Sequence, residues 1–434
     1  MPDFDVVVVG AGTAGLSALA QLDRAGCRVL CVEARDRIGG RILTMRDPLS
    51  PLPIELGAEF IHGRPPEIWQ IIQSASLGVY DCLDASVHIR DGIVQGPDDA
   101  WEPVNHVMED MRQTAASEDD QPFAAFLAKS FHPASAKELS ASFVEGFNAA
   151  HKEIIGIASL AKDGKASDEI EGARSFSFFG GYDAIPSHLL RQTADHGAKL
   201  RLNTALTEVE WRPGSVKLAT VSALTGNAHS ISARRAILTV PLGVLQAGSI
   251  RWRPSPERAL HSASALAFGH VMRVVLRFRE AFWQANPHFA DVGFLLSNEA
   301  LFPTWWTTLA VRAPILTGWS AGPHADALLG KSHAEIIGHA LTSLQRVLGE
   351  ASGRPADLLE AAYFHDWSTD PFARGAYSYV PVGALAAREA LAEPIAETLY
   401  FAGEATELNG HSATVHGAIA SGQRAAAQLI AAER

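Results

Sequence analysis

Three glycines near the amino terminus, Gly10, Gly12 and Gly15, stand in GxGxxG spacing directly after Val6-Val-Val-Val9. The chemistry this spacing suits is the cradling of a pyrophosphate. Gly10 admits the tight turn, Gly12 lets backbone approach the phosphates, and Gly15 lets a helix pack close to the preceding strand. Thr13 and Ala14 fill the two places between, where a helix N-terminus offers free N–H groups and its positive dipole end. Glu33 follows about twenty residues on, where a carboxylate accepts both hydroxyls of a ribose. Glycines and acid together specify a dinucleotide site. Beyond it, Ala34-Arg35-Asp-Arg-Ile-Gly39-Gly40-Arg41 sets two arginines where they can offset phosphate charge, with a glycine pair that frees the backbone between them.

These residues need elements to hold them. Val6–Val9 has the composition of a strand buried on both faces of a parallel sheet. Leu16–Leu22 reads as the helix that follows, ending near Gly26, and Cys27–Val32 as a second strand running into Glu33. Ile54-Glu-Leu-Gly57-Ala58-Glu59-Phe-Ile-His62-Gly63 is a short strand entering a loop, and its small central residues leave room for a planar ring against the backbone. A helix is expected from Pro65 to about Ser76, and residues 80 to 170 read as a mainly helical insertion. A helix from Ile185 to His196 precedes strands at Lys199–Leu202 and Ala205–Trp211. A hairpin turns around Thr225-Gly226-Asn227, and Arg235–Val240 is another buried strand. His270–Phe278 is a long strand whose sheet Ala290–Leu296 and Thr304–Val311 extend. The chain closes with a helix at His333–Leu348, a strand from Thr398 and a last helix from His416 to about Ala432. The pattern is α/β.

Composition bounds the rest. The 434 residues leave room for two or three domains, and 47% hydrophobic with 19% charged residues suits a large core. Lys plus Arg number 36 against 48 Asp plus Glu, a net of −12. Such a balance speaks against a nucleic-acid partner and suits cationic substrates. The three cysteines form neither a disulfide framework nor metal-ligand spacing. No leader-like stretch precedes the first strand and no apolar run reaches about 18 residues. A cytoplasmic protein without a membrane partner is expected.

Seven further stretches carry a resemblance. They are Glu33-Ala-Arg-Asp-Arg-Ile-Gly-Gly-Arg41, Leu56-Gly-Ala-Glu-Phe-Ile-His-Gly63, Gly180-Gly-Tyr182, Leu238-Thr-Val-Pro-Leu-Gly-Val-Leu245, Trp367-Ser-Thr-Asp-Pro-Phe-Ala-Arg-Gly-Ala-Tyr377, Phe401-Ala-Gly-Glu-Ala-Thr406 and Ala413-Thr-Val-His-Gly-Ala-Ile-Ala-Ser-Gly422. With the glycine motif, and in this order, the chain resembles the flavin-containing amine oxidases: polyamine and monoamine oxidases and the flavin-type histone demethylases, nearest in motif to the polyamine oxidases. The resemblance implies FAD and a Rossmann-like FAD-binding domain made of residues 1–78, 180–255 and 392–434. Residues 79–179 and 256–391 would form a discontinuous substrate domain of mixed sheet plus helices. It implies that Glu33 holds the adenosine ribose, Arg41 lies near the pyrophosphate and Val209 meets the adenine through its backbone. Glu404 would hold the ribityl or pyrophosphate portion, with Thr414 and Val415 beside the isoalloxazine and Trp367 near its benzenoid end. Thr13, Ala14, Ala34, Arg35, Gly40, Gly57, Ala58 and Gly403 complete the implied cofactor set.

Departures from the family pattern carry their own implications. The segment between Glu404 and the last helix, Ala405-Thr-Glu-Leu-Asn-Gly-His-Ser412, lacks the cysteine that tethers flavin in monoamine oxidases, so FAD is expected to be non-covalent. His411 stands where many members place an aromatic ring of the amine cage; once protonated it attracts a cation poorly, which weakens the case for a monoamine preference. Arg273 stands at the family's strand lysine, and arginine, unlike lysine, stays charged in proteins. Its presence leaves hydride transfer intact and speaks against fast reaction with O₂. His62 is expected to face substrate and Glu59 to anchor an ammonium, which makes Arg273, His62, His411 and Glu59 the catalytic candidates. The implied reaction passes hydride from a neutral, polyamine-like amine to flavin N5. Water then hydrolyses the imine, and O₂ or another acceptor reoxidises the flavin. An L-amino-acid oxidase of the same fold is the alternative; such enzymes usually carry an arginine just after the Leu-Gly-Ala segment, where this chain has Glu59, Phe60 and Ile61. A flavoprotein scaffold without turnover is the third reading, and the chain has no long helical tower for docking.

Overall fold

The computed structural model describes residues 2–95, 101–193, 197–349 and 354–432. Its first sheet has eight strands. Four short strands make a parallel core: Lys199–Arg201, Val29–Val32, Phe4–Val9 and Leu399–Phe401, the last two flanking the far half of Ala228–Leu238. Val6 to Val9 are at most 4% exposed, as a strand covered on both faces requires. Helices Thr13–Arg24 and Val415–Ala431 lie together over one face, tied where Ser17 Oγ donates to the Ile419 carbonyl at 3.0 Å.

The expected hairpin strand and the expected strand at Arg235–Val240 are one element, Ala228–Leu238. Its first half pairs antiparallel with Ser215–Ser222 and its second half parallel with Phe4–Val9, so its burial passes from alternating to continuous along its length. The helix expected over Ile185–His196 runs Ala184–Arg191, and residues 194–196 lie outside the described residues.

The second sheet has seven strands in the order Leu359–Phe364, Val271–Phe278, Ile315–Ala321, Thr304–Trp306, Phe294–Ser297, Ser86–Arg90 and Ile93–Val94. The last two correct the expected helical insertion, which begins only at Trp101. Ser86–Arg90 pairs in parallel with Phe294–Ser297, some two hundred positions away, a contact that local sequence does not encode. Four helices follow, Trp101–Ser117, Phe123–Lys129, Ala134–Asn148 and Ile157–Glu169. No helix among the described residues is long and apolar enough to cross a membrane.

Strand Val271–Phe278 joins the two halves of the molecule, and its alternation shows how. Met272, Val274, Leu276 and Phe278 pack with Ile336 and Leu344 of helix His333–Leu348. On the other face, Val275 packs with Leu52, Ile54 and Leu56. Arg273 and Arg277, each 5% exposed, share that face and reach the same incoming segment: Arg277 Nε donates to Asp47 at 2.7 Å. A three-stranded sheet of Ile61–His62, Ser175–Phe178 and Val79–Asp81 carries His62 alongside.

Candidate active site

The glycine turn folds as its spacing dictates. A Cβ on Gly15 would sit 1.9 Å from the Gly10 carbonyl oxygen, so only glycine lets the helix start this close to the strand. Gly12 is the N-cap and no side chain caps the helix, which leaves first-turn N–H groups for a ligand. Glu33 is 4% exposed; its Oε2 accepts the Ala11 N–H at 2.7 Å and its Oε1 the Arg35 N–H at 2.9 Å. Each oxygen is oriented by backbone and keeps acceptor capacity for a hydroxyl. A small cleft is lined by Arg41, Thr239, Gly403 and Glu404. These features fit a dinucleotide.

Arg41 Nη1 donates to the Ala376 carbonyl at 2.6 Å and to Glu404 Oε1 at 3.0 Å. Glu404 Oε2 accepts from Ser378 Oγ at 2.6 Å and from the Ala413 N–H at 3.2 Å, so this one carboxylate joins three segments. Arg35 is turned elsewhere. Its Nη2 pairs with Asp370 at 2.8 Å, and its guanidinium carbon lies 5.5 Å from the Phe372 ring centre. Burial works to raise the Asp370 carboxyl, but hydrogen bonds from His365 and Arg35 hold it well below the usual carboxylate range. Trp367, 5% exposed, donates from its indole to the Leu56 carbonyl at 2.7 Å. Thr414 caps the last helix, its hydroxyl accepting the Gly417 N–H at 2.9 Å and donating to the His411 carbonyl at 2.6 Å. Val209 is fully buried in strand Thr204–Arg212, between Leu218 and Trp252 of the neighbouring strands.

Gly57 links this cradle to the catalytic candidates. A Cβ there would lie 1.9 Å from the Arg41 carbonyl oxygen, and that same carbonyl accepts the Ala58 N–H at 3.2 Å. The Gly57 carbonyl in turn accepts from Arg273 Nη1 at 2.7 Å. The other terminal nitrogen of Arg273 forms an ion pair with Glu59, which also accepts the Trp306 indole N–H at 3.0 Å.

Around this pair the side chains are aromatic. Phe60 sits 5.5 Å from Trp306 and 6.1 Å from both Phe294 and His62, measured between ring centres. Trp306 continues to Trp319 at 5.7 Å, and His62 to Phe147 at 5.4 Å, the latter 53% exposed at the outer end. The His411 ring lies 4.9 Å from that of His416, and the His411 backbone N–H donates to Glu407 at 2.7 Å. Burial pushes His62 down to about 4; His416 falls to about 3, through burial first and then the nearby His411 and His62. Both imidazoles are therefore neutral near pH 7, which suits a site for an uncharged amine.

Of the four catalytic candidates, the fold joins Arg273 and Glu59 directly and sets His62 beside them through Phe60, while His411 contacts His416 and Glu407. Phe60 and His416 were inside quoted motifs without a role. Trp306 and Trp319 lay outside every motif; their one signal was the tryptophan-rich run around Trp305-Trp306.

Residues 13–430 match the family described as flavin containing amine oxidoreductase. Polyamine oxidase 4 of Oryza sativa subsp. japonica is 27% identical over 459 residues, 97% of this chain and 87% of that protein. Lysine-specific histone demethylase 1 homolog 3 of Arabidopsis thaliana is 27% identical over 510 residues, 98% of this chain; the chain spans only 30% of that relative's length. Among solved structures, wild-type putrescine oxidase bound to putrescine superposes with a TM-score of 0.82 at 21% identity, over 99% of each chain. Cyclohexylamine oxidase from Brevibacterium oxydans IH-35A gives 0.82 at 22%, over all of both chains. At such identities the structural likeness establishes the fold, a mixed α/β one. The match over residues 13–430 does more: the chain belongs to the flavin containing amine oxidoreductase family.

Proposed function

We propose that the protein oxidises an amine with non-covalently bound FAD, and that residues 1–78, 180–255 and 392–434 form the FAD-binding domain, the remainder the substrate domain. The observation that carries this reading is the run of contacts from Arg41 to Gly57 to Arg273 and Glu59, which leads to the cluster of aromatic rings. When bound, FAD supplies the hydride acceptor. Glu33 would hold its ribose hydroxyls, the uncapped helix N-terminus and Arg41 its phosphates, and Trp367, Thr414 and Val415 would wall its ring system. The chamber's own contribution is orientation and exclusion of water. Apolar walls with neutral His62 and His416 disfavour the ammonium form and so present the amine uncharged. O₂ or another acceptor would complete the cycle.

The amino-acid oxidase reading requires a cation free to bind a carboxylate. Both terminal nitrogens of Arg273 are engaged, which disfavours it. An anaerobic panel of amines and L-amino acids, followed at the flavin absorbance, tests the choice: bleaching by amines supports the reading, and bleaching by amino acids alone contradicts it. The cofactor's attachment is checked separately. Ala405 to Ser412 offers no cysteine, so acid precipitation should leave yellow FAD in the supernatant. Colour retained in the washed pellet would contradict non-covalent binding.

A further inference from the structure

Resting on the amine-oxidising reading, we propose that Arg273 is a specificity-determining residue. It closes Glu59 to a second ammonium, so that the chamber selects amines with one amino group on an apolar body.

The sequence offers Glu59 as an ammonium anchor. In the folded chain its Oε2 is taken twice, by Arg273 Nη2 and by the Trp306 indole at 3.0 Å. The guanidinium cannot easily swing away. It is 5% exposed, its Nη1 is held by the Gly57 carbonyl at 2.7 Å, and its central carbon lies 5.5 Å from the Trp306 ring centre. Moving it would leave Glu59 without its counter-charge and the Gly57 carbonyl without the Arg273 donor in a buried place.

The walls add no replacement. Phe60, His62, Phe147, Phe294, Trp306 and Trp319 form one connected set of rings. Among the described residues, Glu59 is the one carboxylate hydrogen-bonded to a ring of this set. The nearby buried Glu55 spends its oxygens on the Tyr182 N–H at 2.7 Å and the Thr44 hydroxyl at 2.7 Å. A diamine can surrender one proton to be oxidised, but its other end stays an ammonium that needs an uncompensated anion once buried. The Arg273–Glu59 pair has no net charge to give it, and the guanidinium repels it. A single-amine substrate presents no such end.

The test measures equilibrium binding to the holoenzyme by calorimetry, with two probes whose α-carbons bear no hydrogen and so cannot be oxidised. These are 2-methylpentan-2-amine and 2,5-dimethylhexane-2,5-diamine. Wild type should bind the monoamine about tenfold or more tighter than the diamine. Arg273→Gln, which keeps a polar side chain but removes the charge, should tighten diamine binding about tenfold and reverse the order. Arg273→Lys keeps the charge and should keep the wild-type order; bound-flavin absorbance reports that each variant is folded. A wild-type preference for the diamine overturns the inference, and needs no variant to fold. So does an unchanged ratio in Arg273→Gln, or an Arg273→Lys shift equal to that of Arg273→Gln, which would assign the effect to packing rather than charge. If neither probe binds and no amine bleaches the flavin, the amine reading itself falls, and the inference with it. Diamine preference in a protein that amines do bleach removes the inference alone.

Discussion

Glu33→Ala should purify largely without flavin. The buried carboxylate accepts backbone N–H groups from Ala11 and Arg35 and retains a lone pair on each oxygen for the ribose hydroxyls. Removing it strands those groups together. The loss of charge-assisted hydrogen bonds should weaken FAD binding by about 2–4 kcal/mol, roughly thirty- to several-hundredfold. The flavin-to-protein absorbance ratio gives occupancy, and titration of the apoprotein with FAD gives the dissociation constant. Glu33→Gln, which keeps one carbonyl acceptor, should fall between. Full occupancy with an unchanged constant would contradict the assignment.

The second large effect is expected at Arg273, read in two half-reactions. Both of its terminal nitrogens hold partners, which fixes the planar fork in place. The side chain therefore cannot turn a donor toward a water, whereas a lysine ammonium carries three rotatable ones. In stopped flow the wild type should be reduced by amine faster than O₂ reoxidises it, and an artificial acceptor should restore turnover. Arg273→Lys should raise the O₂ rate about tenfold while changing the reduction rate by less than about threefold. If Arg273 only ties a strand to its neighbours, both half-reactions should change alike. Wild-type reoxidation as fast as reduction would contradict the expectation outright.

How much of this was legible before folding follows from distance along the chain. The expected nucleotide cradle is local: Val6 to Glu33 spans two strands and a helix, so spacing alone points to it. The strand at Val271–Phe278 was equally clear, and its alternation of Arg273, Val275 and Arg277 against Met272, Val274 and Leu276 marks two different faces. What each face meets was not legible. Glu59 reaches Arg273 across 214 positions and Trp306 across 247, and no local pattern encodes such pairings. The resemblance offers Arg273 as a departure from the family pattern and Glu59 as an ammonium anchor, as two separate features. Only the fold makes them one ion pair, which changes an offered anchor into a neutralised one. Ser86–Arg90 was absorbed into a helical insertion for the same reason, because its strand character depends on the distant partner Phe294–Ser297.

The most direct test of the account is the anaerobic addition of a simple alkyl amine to the wild-type holoenzyme. The bound flavin should lose its visible absorbance in step with amine consumed, and an amine deuterated at the α-carbon should bleach it more slowly, because that C–H bond is the one broken. A flavin that dithionite reduces but that no amine in the panel bleaches would contradict the account.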